Sequence, residues 1–191
     1  MKNHKIKITV ATLFVLAAAS LASMGVRADS DSLHLSARLS SFNEVPPKAI
    51  GSHGTFRAKL SEDGTTLSWT LTWTGLTGPP EAAHIHFAQE GVNSSVMTFF
   101  CGGPKGNPDI PQKPDCPQTT SGSITGTTNA GDILALNSGA SDLGLNLHDF
   151  ATFLRALRAG DGYVNMHTGR FGGGEIRGQI SVHRGESDDD N

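Results

Sequence analysis

The segment Thr66–Thr74, with the sequence TLSWTLTWT, decides the fold class because its side chains alternate strictly between apolar and polar. Leucine or tryptophan occupies every second position, and serine or threonine occupies the positions between them. Successive side chains of a β-strand point to opposite faces, so this pattern predicts a strand with one face on a core and the other in solvent. The chain is therefore expected to contain a sheet that is buried on one side.

Similar segments recur along the chain between turn sequences, and they predict a protein that consists mostly of β-strands. The triplet Glu62-Asp63-Gly64, for example, supplies a turn immediately before the tryptophan strand. The predicted strands cover residues 33–40, 55–60, 66–74, 83–88, 96–100, 121–127, 162–167 and 175–182. The expected fold class is all-β, as a Greek-key or immunoglobulin-like β-sandwich or as a barrel.

One segment departs from strand periodicity and predicts a short helix near residues 147–158. Its apolar side chains recur at three- and four-residue spacing, which places them on one helix face: Leu147, Phe150, Phe153, Leu154 and Leu157. Asn146 is the predicted N-cap, and Gly160 follows the last turn. The apolar face is expected to cover one open end of the β core.

Residues 1–28 have the composition of a secretory signal peptide. Three lysines precede an uncharged apolar run over residues 8–22, and small residues follow it. This order predicts cleavage after Ala28 and a secreted or periplasmic protein. The apolar run is shorter than the roughly 20 residues that span a bilayer, so no membrane span is expected after signal removal.

Charge and length indicate one acidic domain after the signal. Removal of residues 1–28 leaves 11 basic and 18 acidic side chains, a net charge of −7. Such a balance argues against nucleic acids and anionic membranes as partners, and it leaves a protein or a small ligand open. A single β domain is predicted over residues 29–184. Residues 185–191, which contain four carboxylates, are predicted to form a disordered acidic tail.

The two cysteines of the chain, Cys101 and Cys116, flank a loop rich in glycine and proline. In an oxidising compartment such a pair is expected to form a disulfide. The spacing is far from that of a CxxC knuckle, so metal binding by the thiolates is not expected. Closure of the loop would stabilise the fold by about 3 kcal/mol through chain entropy.

The string AAHIH at residues 82–86 is the most informative signal of chemistry. Residues two apart on a strand share a face, so the imidazoles of His84 and His86 are predicted to project together. His167 lies in another predicted strand and would supply a third nitrogen if the two strands pair. The pattern predicts a copper or zinc site at these histidines. Glu175 is a candidate further ligand, or an acceptor that orients an imidazole.

Other chemistry has less support. The sequence contains no Gly-x-Ser-x-Gly elbow, and both cysteines are expected to be paired, so neither a serine hydrolase nor a cysteine protease is predicted. The glycines at 172–174 precede a strand rather than a helix, which predicts a hairpin loop instead of a phosphate site. The remaining histidines of the domain are assigned to turn, edge or surface positions: His34, His53, His148 and His183.

Several motifs together resemble the CHRD domain, a module that is also repeated in chordin. They are Leu35-Ser36-Ala37-Arg38-Leu39, Glu44-Val45-Pro46-Pro47, Gly54-Thr55-Phe56, Ala83-His84-Ile85-His86, Tyr163-Val164-Asn165-Met166-His167-Thr168 and Gly174-Glu175-Ile176-Arg177-Gly178-Gln179-Ile180. The resemblance extends over residues 33–181 and implies a secreted β-sandwich or barrel-like domain. It implies no defined molecular activity. The loop between the two cysteines departs from the family pattern.

The residues leave three functional hypotheses open. The first is an exported, non-enzymatic binding or structural domain with a copper or zinc site at His84, His86 and His167. The second is a redox metalloenzyme that uses the same histidines, by analogy with the copper-binding strand of copper-zinc superoxide dismutase, whose surrounding glycine and histidine pattern this chain lacks. The third is an envelope or matrix interaction module in which the histidines are structural.

Overall fold

The computed structural model describes residues 33–107, 110–136 and 142–184. The described residues form nine strands and one α-helix, which confirms the all-β prediction. The strands are β1 (Leu33–Ser40), β2 (His53–Leu60), β3 (Thr66–Thr74), β4 (Pro80–Phe87), β5 (Val96–Gly102), β6 (Gly122–Asn129), β7 (Gly162–Thr168), β8 (Ile176–Gln179) and β9 (Ser181–Arg184); the helix α1 is Phe150–Arg158. The predicted signal peptide at 1–28 and the predicted tail at 185–191 lie outside the described residues. Within these ranges, no helix is long and apolar enough to cross a bilayer.

The strands belong to one sheet that curls into a nearly closed barrel. The strand order is β5-β4-β7-β8-β1-β2-β3-β6, and β9 also pairs with β1. After β6, the backbone N–H of Leu134 donates to the carbonyl of Met97 in β5 at 2.9 Å. The segment that follows β6 therefore bridges the two ends of the sheet. Of the two architectures that the sequence left open, the barrel is the one formed.

The apolar face of β3 lies inside the barrel, as its alternation predicts. Its leucines and tryptophans are at most 6% exposed. The ring of Phe100 in β5 lies 4.4 Å from the ring of Trp69 and 5.3 Å from that of Phe56, measured between centroids. Aromatic pairs at such distances add on the order of 1 kcal/mol each to the free energy of burial. Strands β2, β3 and β5 thus share one aromatic cluster.

Two glycines of β6 make room for the tryptophans of β3. A Cβ atom at Gly126 would lie 2.5 Å from Cζ2 of Trp69, and one at Gly122 would lie 3.0 Å from Cζ2 of Trp73. The glycines therefore allow the close approach of β6 to the two indoles. Each buried indole N–H also donates a hydrogen bond, Trp69 to the hydroxyl of Thr128 and Trp73 to a loop carbonyl.

Helix α1 begins three residues later than predicted, at Phe150. His148 has a φ of +62°, a left-handed conformation that does not occur inside an α-helix. Asp149, rather than Asn146, is the N-cap, and its side chain accepts a hydrogen bond from the first turn. Leu147 stays outside the helix and is 42% exposed. The other predicted apolar residues are buried in the main hydrophobic cluster: Phe150, Phe153, Leu154 and Leu157.

The predicted strand at 175–182 is two strands, because the chain changes partners within it. Gln179 in β8 pairs with Tyr163 of β7, whereas Ser181 in β9 pairs with Ser36 of β1. Ile180 lies between the two strands, and its N–H donates to a β7 carbonyl. β8 itself lies between β7 and β1, and β9 extends the pairing with β1 to the end of the described chain.

The sulfur atoms of Cys101 and Cys116 lie at disulfide distance, 1.99 Å apart, as the sequence predicts. Both residues are buried. The bond joins β5 to the long connection that leads to β6. A backbone hydrogen bond from the N–H of Gly102 to the carbonyl of Pro114 also attaches this connection to β5.

Candidate metal centre

The outer face of β4 and β7 carries the predicted histidines. Ala83 and Ile85 of β4 are fully buried in the hydrophobic cluster, so strand alternation places His84 and His86 on the outer face. β7 pairs with β4 in antiparallel register, with Asn165 opposite His84 and Tyr163 opposite His86. This is the strand pairing that the predicted site requires.

The three predicted histidines, His84, His86 and His167, converge at one place. One ring nitrogen from each lies within 4.8 Å of the others. The ring centroid of His84 is 4.4 Å from that of His86 and 4.6 Å from that of His167. A tetrahedral ion with metal–nitrogen bonds of about 2.0–2.1 Å holds its nitrogens roughly 3.3 Å apart. Short side-chain movements would therefore place all three nitrogens around one ion.

Backbone carbonyls orient two of the rings. Nδ1 of His86 lies 2.7 Å from the carbonyl oxygen of Ser94, and Nδ1 of His167 lies 2.8 Å from that of Gly172. Because a carbonyl only accepts, each Nδ1 carries the hydrogen and each Nε2 keeps a lone pair. Among the described residues, no hydrogen-bond partner reaches Nδ1 of His84 or Nε2 of His167, although both atoms are buried.

The surroundings of the three imidazoles favour their neutral form. Burial, followed by the proximity of His86 and His167, lowers the pKa of His84 well below its ordinary value. Burial also lowers the pKa of His86 to about 4 and lowers that of His167. Neutral imidazole is the form that binds a metal ion, so the cluster is ready for coordination at physiological pH without loss of a proton.

Glu175 does not join the histidines, which corrects the expectation that it serves as a ligand or orienting acceptor. Its carboxylate is buried, and both oxygens accept other hydrogen bonds. Oε1 accepts from the hydroxyl of Ser52 and the N–H of Thr77, and Oε2 accepts from the hydroxyls of Thr77 and Thr168, all at 2.6–2.7 Å. The carbonyls of Ser94 and Gly172 take the orienting role instead.

A stack of side chains that sequence reasoning missed supports His86. The imidazole of His86 lies parallel to the ring of Tyr163, with centroids 4.6 Å apart and an interplanar angle of 9°. The guanidinium carbon of Arg177 lies 3.4 Å from the centroid of the same ring. Because β7 lies between β4 and β8, the imidazole and the guanidinium reach the ring from opposite sides. Tyr163 and Arg177 are each only 2% exposed.

The segments that form this site also carry the motifs of one domain family. The family model of the CHRD domain matches residues 35–180, which is most of the chain. The chain belongs to the CHRD domain family. The match includes all three histidines as well as Tyr163 and Arg177. No curated protein matches the chain.

In this CHRD domain, Arg177 also fixes the loop at 88–95 that follows β4. Its guanidinium donates to Oδ1 of Asn93 at 2.9 Å, to the carbonyl of Val92 at 2.7 Å and to that of Gln89 at 3.3 Å. The same loop supplies the Ser94 carbonyl that orients His86. The Arg177 guanidinium thus hydrogen-bonds the loop at 88–95 and also stacks on Tyr163, which in turn contacts the imidazole of His86. Arginine is rarely buried without a partner, and the burial of Arg177 is visible only in the fold, so no signal in the sequence pointed to this layer.

Glu44, from the motif after β1, is 3% exposed and interacts electrostatically with Arg177. Its Oε1 accepts a hydrogen bond from Nδ2 of Asn165. Burial raises the pKa of Glu44 to about 7, against the opposing effects of the Val45 N–H and the Arg177 cation. Glu44 is thus a carboxyl group of the CHRD domain that titrates near neutral pH.

The raised pKa of Glu44 predicts a pH-dependent stability. From pH 5 to pH 8, the free energy of unfolding of the wild type should fall by about 2–3 kcal/mol relative to that of Glu44→Gln. In this range the unfolded chain has already released the proton that folded Glu44 retains, so rising pH favours unfolding. The buried histidines change the free energy of unfolding with pH in the opposite direction, but they do so equally in both proteins. The measured quantity is therefore the difference in unfolding free energy between wild type and Glu44→Gln, obtained by urea unfolding at each pH. Parallel profiles would contradict the assignment.

Proposed function

We propose that this CHRD domain is an exported binding module that holds one copper or zinc ion at His84, His86 and His167. The observation that supports it is the convergence of three imidazoles whose nitrogens lie within 4.8 Å of one another. Two buried ring nitrogens of the cluster have no hydrogen-bond partner among the described residues. A buried polar atom without a partner costs about 1–3 kcal/mol. A bound ion would remove that cost.

The hydrogen-bond pattern favours a ligand site over a purely structural cluster. Structural histidines at a half-buried surface are expected to use both ring nitrogens in hydrogen bonds. Here Nδ1 of His86 and Nδ1 of His167 each donate to a backbone carbonyl, which leaves the Nε2 lone pair of each ring for a ligand. This is the arrangement by which outer carbonyl groups orient metal-binding imidazoles.

Location outside the cytoplasm is part of the proposal. The disulfide between Cys101 and Cys116 is typical of an oxidising compartment. The lysine-rich, apolar composition of residues 1–28 supports export in the same way. Imidazole is a suitable ligand for both copper and zinc, so a site without thiolates can bind either metal where cysteines are oxidised.

Replacement of His84 by alanine is expected to abolish stoichiometric metal binding. Loss of an orienting group typically weakens metal affinity by about 10–100-fold, so loss of a buried ligand should weaken it by more. Protein purified without a polyhistidine tag is loaded with Zn²⁺ or copper, dialysed and analysed by elemental mass spectrometry. His86→Ala and His167→Ala are measured in parallel. The matched control is His53→Ala, because His53 is exposed on β2 and should leave one ion per chain.

Two results would count against the proposal in different ways. If loaded wild-type protein retains no stoichiometric copper or zinc, the function itself is rejected. If the wild type binds one ion and the three single variants, shown to be folded by circular dichroism, bind it equally well, the ligand assignment is rejected.

A further inference from the structure

We infer that the metal centre selects monovalent copper, Cu(I), and that the buried Arg177 cation, stacked on Tyr163 opposite His86, sets this preference. The inference rests on the proposed function, because it concerns the same three histidines. It adds the identity and the charge of the ion, together with a positioning residue that does not touch it.

The first step is the charge of the ligand set. The candidate ligands are three imidazoles, and no carboxylate or thiolate of the described residues belongs to the group. Both cysteines are joined to each other, and Glu175 is held by Ser52, Thr77 and Thr168. With three neutral ligands, a bound divalent ion would keep both of its positive charges in a partly buried site and Cu(I) would keep one, apart from the attraction of the exposed Glu81 carboxylate on β4. The cost of burying uncompensated charge therefore favours the monovalent ion.

The second step is the coordination number. Tetrahedral Zn²⁺ requires a fourth ligand beyond the three nitrogens. Cu(I) is also stable with three ligands in a trigonal arrangement, so the three imidazoles can satisfy it alone. His84 is 4% exposed, and its ring lies edge-on to Phe99 with centroids 5.2 Å apart. This aromatic contact restricts the access of water to one side of the site.

The third step is the charge of Arg177, which forms no salt bridge in the described ranges, although the carboxyl groups of Glu44 and Glu90 attract it from a greater distance. Its guanidinium donates only to neutral acceptors, namely the side-chain oxygen of Asn93 and the carbonyls of Gln89 and Val92. Glu44, the nearby buried carboxyl, is partly protonated at neutral pH because its pKa is raised to about 7. The positive charge of Arg177 is therefore felt by its surroundings.

The fourth step connects that charge to the ion. The guanidinium carbon lies 3.4 Å from the centroid of Tyr163, and the imidazole of His86 lies 4.6 Å from the same centroid. The cation therefore lies one aromatic ring away from a ligand of the ion. At a separation on the order of 10 Å and an effective dielectric constant of about 20, repulsion weakens binding roughly tenfold for each unit of charge on the ion. A divalent ion is penalised twice as much as Cu(I).

The test measures the dissociation constants of Cu(I), Cu²⁺ and Zn²⁺ from the full chain at pH 7. Each constant is measured by competition with a chromogenic chelator, and ascorbate keeps the copper reduced in the Cu(I) measurement. The wild type should bind Cu(I) more tightly than Cu²⁺ or Zn²⁺. In Arg177→Gln the ratio of the Cu²⁺ to the Cu(I) dissociation constant should fall about tenfold, which corresponds to a copper reduction potential lower by about 59 mV. The matched control is Arg57→Gln, which removes an exposed cation on β2 and should leave the ratio unchanged.

The outcomes separate this inference from the proposed function. A wild type that binds Cu²⁺ or Zn²⁺ more tightly than Cu(I) overturns the inference and leaves the metal site standing. An unchanged ratio in folded Arg177→Gln also overturns it. Because Arg177 holds the loop at 88–95, near-ultraviolet circular dichroism verifies the fold; if the variant is unfolded, the order of the wild-type affinities decides alone. If no metal binds the wild type, both proposals are rejected together.

Discussion

Substitution of Glu175 by alanine is expected to lower the free energy of unfolding by about 4 kcal/mol, a loss in the exceptional range for single substitutions. The carboxylate is fully buried and accepts four hydrogen bonds from Ser52, Thr77 and Thr168. These residues lie immediately before β2, between β3 and β4, and at the end of β7. Loss of the carboxylate removes the acceptor of the buried Thr168 hydroxyl and of the two Thr77 donors, and one of the two acceptors of the Ser52 hydroxyl, so three segments of the barrel lose a common attachment.

The measurement is urea unfolding at pH 7, with Glu81→Ala as the control because Glu81 is exposed on β4. Burial acts to raise the pKa of Glu175, but the hydrogen bonds from Thr168, Thr77 and Ser52 outweigh it and hold the pKa below its ordinary value. The stabilisation is therefore fully present above about pH 4.5 and is lost as the pH falls through the folded pKa. The difference between wild type and variant should shrink in acid, and a constant difference would argue against this role of the carboxylate.

Replacement of Phe100 by alanine is expected to destabilise the protein by about 3–5 kcal/mol. Phe100 is 2% exposed and contacts the rings of Phe56 and Trp69, so its removal leaves a cavity at the junction of β2, β3 and β5. The control is Phe42→Ala: this side chain is 63% exposed, and its loss should change stability by less than about 0.5 kcal/mol.

Thermal or urea unfolding gives the stability of both phenylalanine variants. The stability of Phe100→Leu should fall between those of the wild type and Phe100→Ala, because leucine fills part of the cavity. Equal stabilities of Phe100→Ala and Phe42→Ala would mean that the aromatic cluster does not stabilise the packing of β5 against β2 and β3.

Alternation of apolar and polar side chains was sufficient to predict β3, because one face of this strand is buried in the barrel and the other is more exposed. β5 and β7 are buried at most positions on both faces, so their strand-like composition and the flanking turn sequences predicted them instead. The start of α1 was not predictable from periodicity. The left-handed conformation of His148 excludes both His148 and the preceding Leu147 from the helix, although Leu147 fits the apolar spacing. The choice between sandwich and barrel was also beyond local patterns. It depends on the pairing of β1 with β8 and β9, whose residues are far apart in the chain.

The convergence of the histidines was predictable because His84 and His86 share a strand face and β7 was a plausible partner. Their supporting layer was not, because Glu44 and Arg177 come from distant segments and no local pattern reveals that they are buried together. The expectation for Glu175 rested on its nearness to His167 in the sequence. In the fold, the carboxylate of Glu175 instead accepts hydrogen bonds from Ser52 and Thr77.

The pairing of β1 with β9 has a consequence for how the molecule is made. The hydroxyl of Ser36 contacts Nε2 of His183, which is 147 residues later in the chain. Contacts of such sequence separation form late, because the loop they close is long. For a polypeptide that crosses a membrane N-terminus first, the barrel cannot close until its final strands have emerged. If the chain is exported as proposed, the edge of β1 that pairs with β8 and β9 stays unpaired until these strands have crossed the membrane, and an unpaired strand edge can pair with other chains in that interval.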